Sequence, residues 1–210
     1  MLALLLPALL SLVSPNGGRS SVLAGSTRRG FAVAVPFAAS AALCLPSVSY
    51  AAAGATYNDE ATGVSFAYPS DWSLQKTTIA RSQLPIVIVT KNGAPSTNAF
   101  FSVNSIRGDY ASLGSFGTPA DVLVTLVPPP GTPGITSEVI SSAKKGTTYE
   151  FDYKLSFDTG VTRHLRTTYG ITHSPAGYDY LVTLTAQSLE QDYASAKAEL
   201  DAVLGSVKGL

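Results

Sequence analysis

An eleven-residue alternation sets the tightest limit on how this chain can fold. Over residues 147–157, Tyr149, Phe151, Tyr153, Leu155 and Phe157 share one side of an extended backbone, and Glu150, Asp152 and Lys154 share the other. A period of two sorts apolar from charged side chains in this way, so the segment reads as a strand with one face on a core. Asp158-Thr159-Gly160 turns the chain back. Residues 161–172 then return with Val161, Leu165, Tyr169 and Ile171 on one face and His164, Arg166 and Thr168 on the other. If Phe157 faces Val161, Lys154 falls opposite His164 and Asp152 opposite Arg166, an ion pair worth a fraction of a kcal/mol when exposed.

Around this hairpin the remaining elements fall into place. Residues 178–187 form a third strand after the Pro175-Ala176-Gly177 turn. Upstream, residues 64–68 alternate as a half-buried strand ending at Pro69, with Trp72 beyond the turn. Residues 86–90 and 99–106 pair through Asn92-Gly93-Ala94-Pro95, and residues 135–142 give a further strand before a Lys144-Lys145-Gly146 turn. Thr118-Pro119-Ala120-Asp121 supplies an N-cap, a proline at the first helical position and an acid at the third, predicting a helix to Val127 that Pro128-Pro129-Pro130 stops. A last helix is predicted from a Ser188/Gln191 capping box, with Leu189, Tyr193, Ala196, Leu200 and Val203 as its apolar stripe and Gly205 at C′. Neighbouring strands with two helices define an α/β (α+β) domain: a central, mostly antiparallel sheet with helices packed on its faces.

The first fifty-odd residues follow different rules. They contain no acid, carry Arg19, Arg28 and Arg29, and hold two apolar stretches separated by a Ser, Gly and Arg-rich spacer. Residues 1–13 are too few to span a bilayer of about 30 Å as a helix and read as a signal-peptide core. Arg28-Arg29-Gly30-Phe31 ahead of an alanine-rich stretch resembles a twin-arginine signal, and Ser49-Tyr50-Ala51 or Ala51-Ala52-Ala53 fits a cleavage site. Residues 1–53 are therefore expected to be a multi-part targeting presequence that is removed, leaving residues 54–210 as one domain. The mature part has eleven basic against fourteen acidic side chains and no basic run, which argues against a nucleic-acid partner. Cys44 lies in the presequence, so the mature domain has no thiol for a disulfide, metal site or nucleophile.

At this point the chain resembles the PsbP family, the extrinsic lumenal proteins of photosystem II and their paralogues. The resemblance is carried by Gly63-Val64-Ser65-Phe66-Ala67-Tyr68-Pro69-Ser70-Asp71-Trp72, by Gly114-Ser115-Phe116-Gly117-Thr118-Pro119, and by the strand holding Tyr149, Phe151 and Tyr153. Arg163-His164 and the Tyr180-Leu181 strand before the last helix complete it. It implies an α/β/α sandwich. The role it implies is non-catalytic: a thylakoid lumen protein, peripheral to the membrane, that binds photosystem II lumenal subunits and supports calcium and chloride retention by the oxygen-evolving complex. The photosystem II subunit proper has a longer amino-terminal arm before the opening strand, so a PsbP-like paralogue acting in photosystem assembly or maintenance is the alternative.

Only His164 and His173 could serve imidazole chemistry. The resemblance implies a metal site of a strand histidine and an acid ahead of the last helix, which here are His164 and Glu190. Glutamate in place of the family's aspartate lengthens the ligand arm, and two protein ligands imply weak binding of calcium, manganese or zinc. The other reading of His164 is a solvated strand histidine. Asp59-Glu60 and Glu150/Asp152 read as solvated acids. The chain has no G-x-S-x-G elbow, no P-loop and no G-x-G-x-x-G after a strand, so a lumenal enzyme or small-ligand binder is the weaker reading.

Overall fold

The 147–157 alternation becomes a ten-residue strand near one end of a seven-stranded sheet. The computed structural model describes residues 54–210 apart from 79–83, 107, 109 and 111. The predicted leader, its arginine pair and Cys44 therefore lie outside the described residues. Along the chain come β1 (Ala55–Asp59), β2 (Val64–Tyr68), β3 (Trp72–Thr78), β4 (Pro85–Lys91), β5 (Asn98–Ser105), α1 (Pro119–Leu126), β6 (Ile135–Lys145), β7 (Thr148–Phe157), β8 (Thr162–His173), β9 (Asp179–Leu189) and α2 (Glu190–Gly205). The sheet runs β3-β4-β5-β9-β8-β7-β6 with every pairing antiparallel, and β1 and β2 form a separate hairpin. Lys154 stands opposite His164 and Asp152 opposite Arg166, the register expected from the hairpin turn.

Each face of the sheet has its own core, which makes the fold the expected sandwich. On one face Tyr149, Phe151, Tyr153, Leu155, Leu165 and Tyr169 pack with Val122 and Leu123 of α1. On the other, Val87, Val89, Phe101, Val182 and Leu184 pack with Ala196, Leu200 and Val203 of α2 and with Phe66 of the hairpin. Phe101, Leu184 and Leu200 are essentially inaccessible, and each such side chain contributes about 2 kcal/mol. The hairpin is tied down through the end of α2: Ser65 and Lys208 exchange backbone hydrogen bonds of 3.1 and 2.9 Å, and the Ser206 hydroxyl accepts from Ala67 N at 2.8 Å.

The α1 cap forms as its sequence predicts. Thr118 accepts from Asp121 N at 3.3 Å and Asp121 Oδ2 accepts from Thr118 N at 2.8 Å. The preceding Gly117 has φ of 96°, and a Cβ there would lie 2.8 Å from that of Asp121. Only glycine fits this approach without displacement.

Elsewhere the structure departs from the sequence reading. Residues around Trp72 and before Val64 belong to strands β3 and β1: β3 exposes all but Trp72 and shows no alternation, and β1 places the charged Asp59 at a buried position. Strand β6 continues through Lys145, so the two lysines end a strand and Gly146 makes the turn. Asp59 is buried rather than solvated, accepting from Tyr57 at 3.2 Å and Thr62 at 2.6 Å. Strand β9 runs through Leu189, pairing Ser188 with His164, so the Ser188/Gln191 capping box is not made and Leu189 is the N-cap. Ladder hydrogen bonds outcompete one side-chain cap. Gly205 is the last helical residue, and Ser206 caps the helix.

Candidate functional site

Three consecutive sheet neighbours and one helix converge on His164. Asp152 and Lys154 project from the same side of β7, His164 lies opposite Lys154 on β8, and Ser188 lies opposite His164 on β9. Because α2 starts two residues after Ser188, Glu190 stands beside the imidazole and Tyr193 follows one helical turn later. This face of β7 and β8 carries polar residues, but α2 covers part of it. His164 is consequently 6% exposed, which excludes the solvated-histidine reading.

Both nitrogens of the buried ring are engaged. Nε2 lies 2.7 Å from Asp152 Oδ1, and Nδ1 lies 2.8 Å from Glu190 Oε2. A carboxylate oxygen therefore stands against each ring nitrogen. The second Glu190 oxygen, Oε1, accepts from Lys154 Nζ at 2.7 Å. Tyr193 stacks on the imidazole with ring centroids 3.4 Å apart and planes 9° from parallel. Arg166 Nε lies 3.7 Å from Asp152 Oδ2, while its guanidinium pairs chiefly with Asp201, which also accepts from Lys197. The expected Asp152–Arg166 pair is thus secondary to Asp152–His164.

These contacts set the local electrostatics. The Lys154 hydrogen bond, with that of His164, holds the Glu190 carboxyl below its ordinary value, and Glu190 in turn raises the Lys154 ammonium. Burial, with the Asp152 charge, raises the Tyr193 phenol. Among the described residues the buried Tyr193 hydroxyl has no hydrogen-bond partner.

The sequence-predicted pair, His164 and Glu190, is therefore brought into direct contact. Its donor atoms do not fit a metal as arranged, because they face each other, Asp152 and Lys154 rather than a shared point. Among the described residues, no group of three or more His, Cys, Asp or Glu is placed to hold a metal ion. His173, the other imidazole, is exposed and pairs with Asp179 across β8 and β9. A shallow cleft of about 240 Å³ lies on the α2 side, lined by Lys145, Glu150, Arg166, Thr168, Asp201 and Gly205, and His164 is not in its wall. A proton shuttle would need a free ring nitrogen, and His164 offers none without breaking a bond.

What the sequence reading missed was the convergence. It placed Lys154 beside His164 by register and Glu190 beside it by resemblance, yet set Asp152 against Arg166 and left Tyr193 in the apolar stripe of the helix.

The architecture, an antiparallel sheet between two helices with a hairpin pinned to the last helix, defines an α+β sandwich in which His164 is held in a polar tie. A family model described as PsbP matches residues 53–208, and the chain belongs to the PsbP family. Among solved structures it is similar to that of cyanobacterial PsbP (CyanoP) from Synechocystis sp. PCC 6803, with a TM-score of 0.59 and 20% identity over 80% of this chain and 99% of that one. Weaker likenesses are to LpqN, involved in cell envelope biogenesis of Mycobacterium tuberculosis (TM-score 0.45, 14% identity, 76% and 86% covered), and to the Saccharomyces cerevisiae Ran-binding protein Mog1p (0.43, 9%, 74% and 95%). No curated protein sequence matches significantly. Among the described residues no helix is long and apolar enough to cross a membrane.

Proposed function

We propose that this chain is a non-catalytic extrinsic protein of the thylakoid lumen, peripheral to the membrane, that docks on lumenal subunits of photosystem II and supports calcium and chloride retention by its oxygen-evolving complex. The observation that carries this reading is membership of the PsbP family across residues 53–208. Fractionation of native thylakoid complexes tests it: near-equal co-migration with photosystem II supports a resident subunit, and absence from all photosystem fractions contradicts the reading.

One observation favours a second reading, an assembly or maintenance factor for photosystem I or II. Residues Ala55–Asp59, directly ahead of the opening strand, are themselves a strand paired with it, so these five residues belong to the hairpin rather than to a docking arm. Transient association with immature complexes, rather than stable co-migration, distinguishes this role.

A further inference from the structure

We propose that the Asp152–His164–Glu190 cluster of this chain is closed to divalent metals because the Lys154 ammonium occupies the cation's place, and that the cluster serves as an internal tie joining β7, β8 and the start of α2.

The geometry supplies the first argument. Metals bind imidazole in the ring plane at a nitrogen lone pair, and both in-plane positions here point at carboxylate oxygens 2.7 and 2.8 Å away. A tetrahedral zinc bridging nitrogen and oxygen at its usual bond lengths would hold those two atoms roughly 3.4 Å apart. The observed 2.8 Å between His164 Nδ1 and Glu190 Oε2 is a direct hydrogen bond with no room for an ion between. Tyr193 packs against the ring face, so the imidazole cannot swing toward α2 without unstacking.

Charge supplies the second. Asp152, Glu190 and Asp201 already have cationic partners in Arg166, Lys154 and Lys197, with the His164 ring against the first two. A divalent ion would add two positive charges to a set that already has its cations. It would also have to displace the ammonium 2.7 Å from Glu190 Oε1, the oxygen that would otherwise be free to ligate. A site with two protein ligands leaves most coordination positions to water and lacks the affinity for that exchange.

The test is manganese(II) titration of the chain, read by paramagnetic broadening of the histidine side-chain NMR signals, with exposed His173 as internal reference. The wild-type His164 signal should broaden no more than that of His173 up to about 1 mM manganese, whereas Lys154→Gln should broaden His164 selectively at concentrations at least about tenfold lower. Amide spectra verify that the variant is folded, and Lys154→Met replaces it if it is not. Selective broadening of wild-type His164 at micromolar manganese, abolished by Glu190→Gln, would overturn the closure. A folded Lys154→Gln or Lys154→Met that still fails to gain selective broadening would overturn the role given to Lys154.

Discussion

The imidazole of His164 and the phenol of Tyr193 lie face to face, 3.4 Å between centroids and 9° from parallel, with the tyrosine hydroxyl buried and without a hydrogen-bond partner among the described residues. The stack joins the middle of the sheet to the first turn of α2. Its worth should reside in the ring rather than in the oxygen. Tyr193→Phe is expected to leave stability unchanged or slightly higher, since a desolvated hydroxyl without a partner is removed. Tyr193→Ala should cost about 2–3 kcal/mol in urea unfolding, because both the stack and the apolar contact are lost.

His164→Ala should destabilise by about 2 kcal/mol, since it leaves Asp152 and Glu190 facing each other without the proton donors between them. The figure lies below that for a fully buried pair because water reaches both carboxylates. A double-mutant cycle with Glu190→Gln should show non-additivity. Additive losses would mean that the hydrogen bond at 2.8 Å contributes nothing.

The α1 cap predicts a pH dependence. The Thr118 hydroxyl and N–H hold the Asp121 carboxyl below its ordinary value of 3.8. A depressed carboxylate contributes stability that is present above the unfolded pKa and is lost as pH falls through the folded one. Its contribution should therefore disappear below pH 3.8, in a shallow slope that Asp121→Asn removes. At the same turn, Gly117→Ala should cost about 1–2 kcal/mol, because φ is positive and the added Cβ would meet Asp121 at 2.8 Å. Thermal unfolding at several pH values measures both effects.

How much of this was legible beforehand differs by element. The β7–β8 register followed from one turn and two periodic faces, and α1 followed from a proline and two polar residues at fixed offsets, because local chemistry decides both. Strand β3 was not legible, since Trp72–Thr78 exposes six of its seven residues and shows no alternation, and β1 was not because a charged residue, Asp59, takes one of its buried positions. At the candidate site, His164 and Glu190 could be named, but their state could not. Whether they hold an ion or each other depends on where β9 yields to α2, which the sheet decides by extending its ladder past a plausible cap.

The proposed role makes the chain a detachable lumenal partner of photosystem II. High-salt washing of isolated thylakoids, followed by rebinding of the purified chain, tests this most directly, with oxygen evolution measured at limiting calcium and chloride. The chain should leave with the wash, oxygen evolution should fall, and adding it back should restore the rate. A chain that stays with the membranes through the wash, or whose return leaves oxygen evolution unchanged, would contradict it.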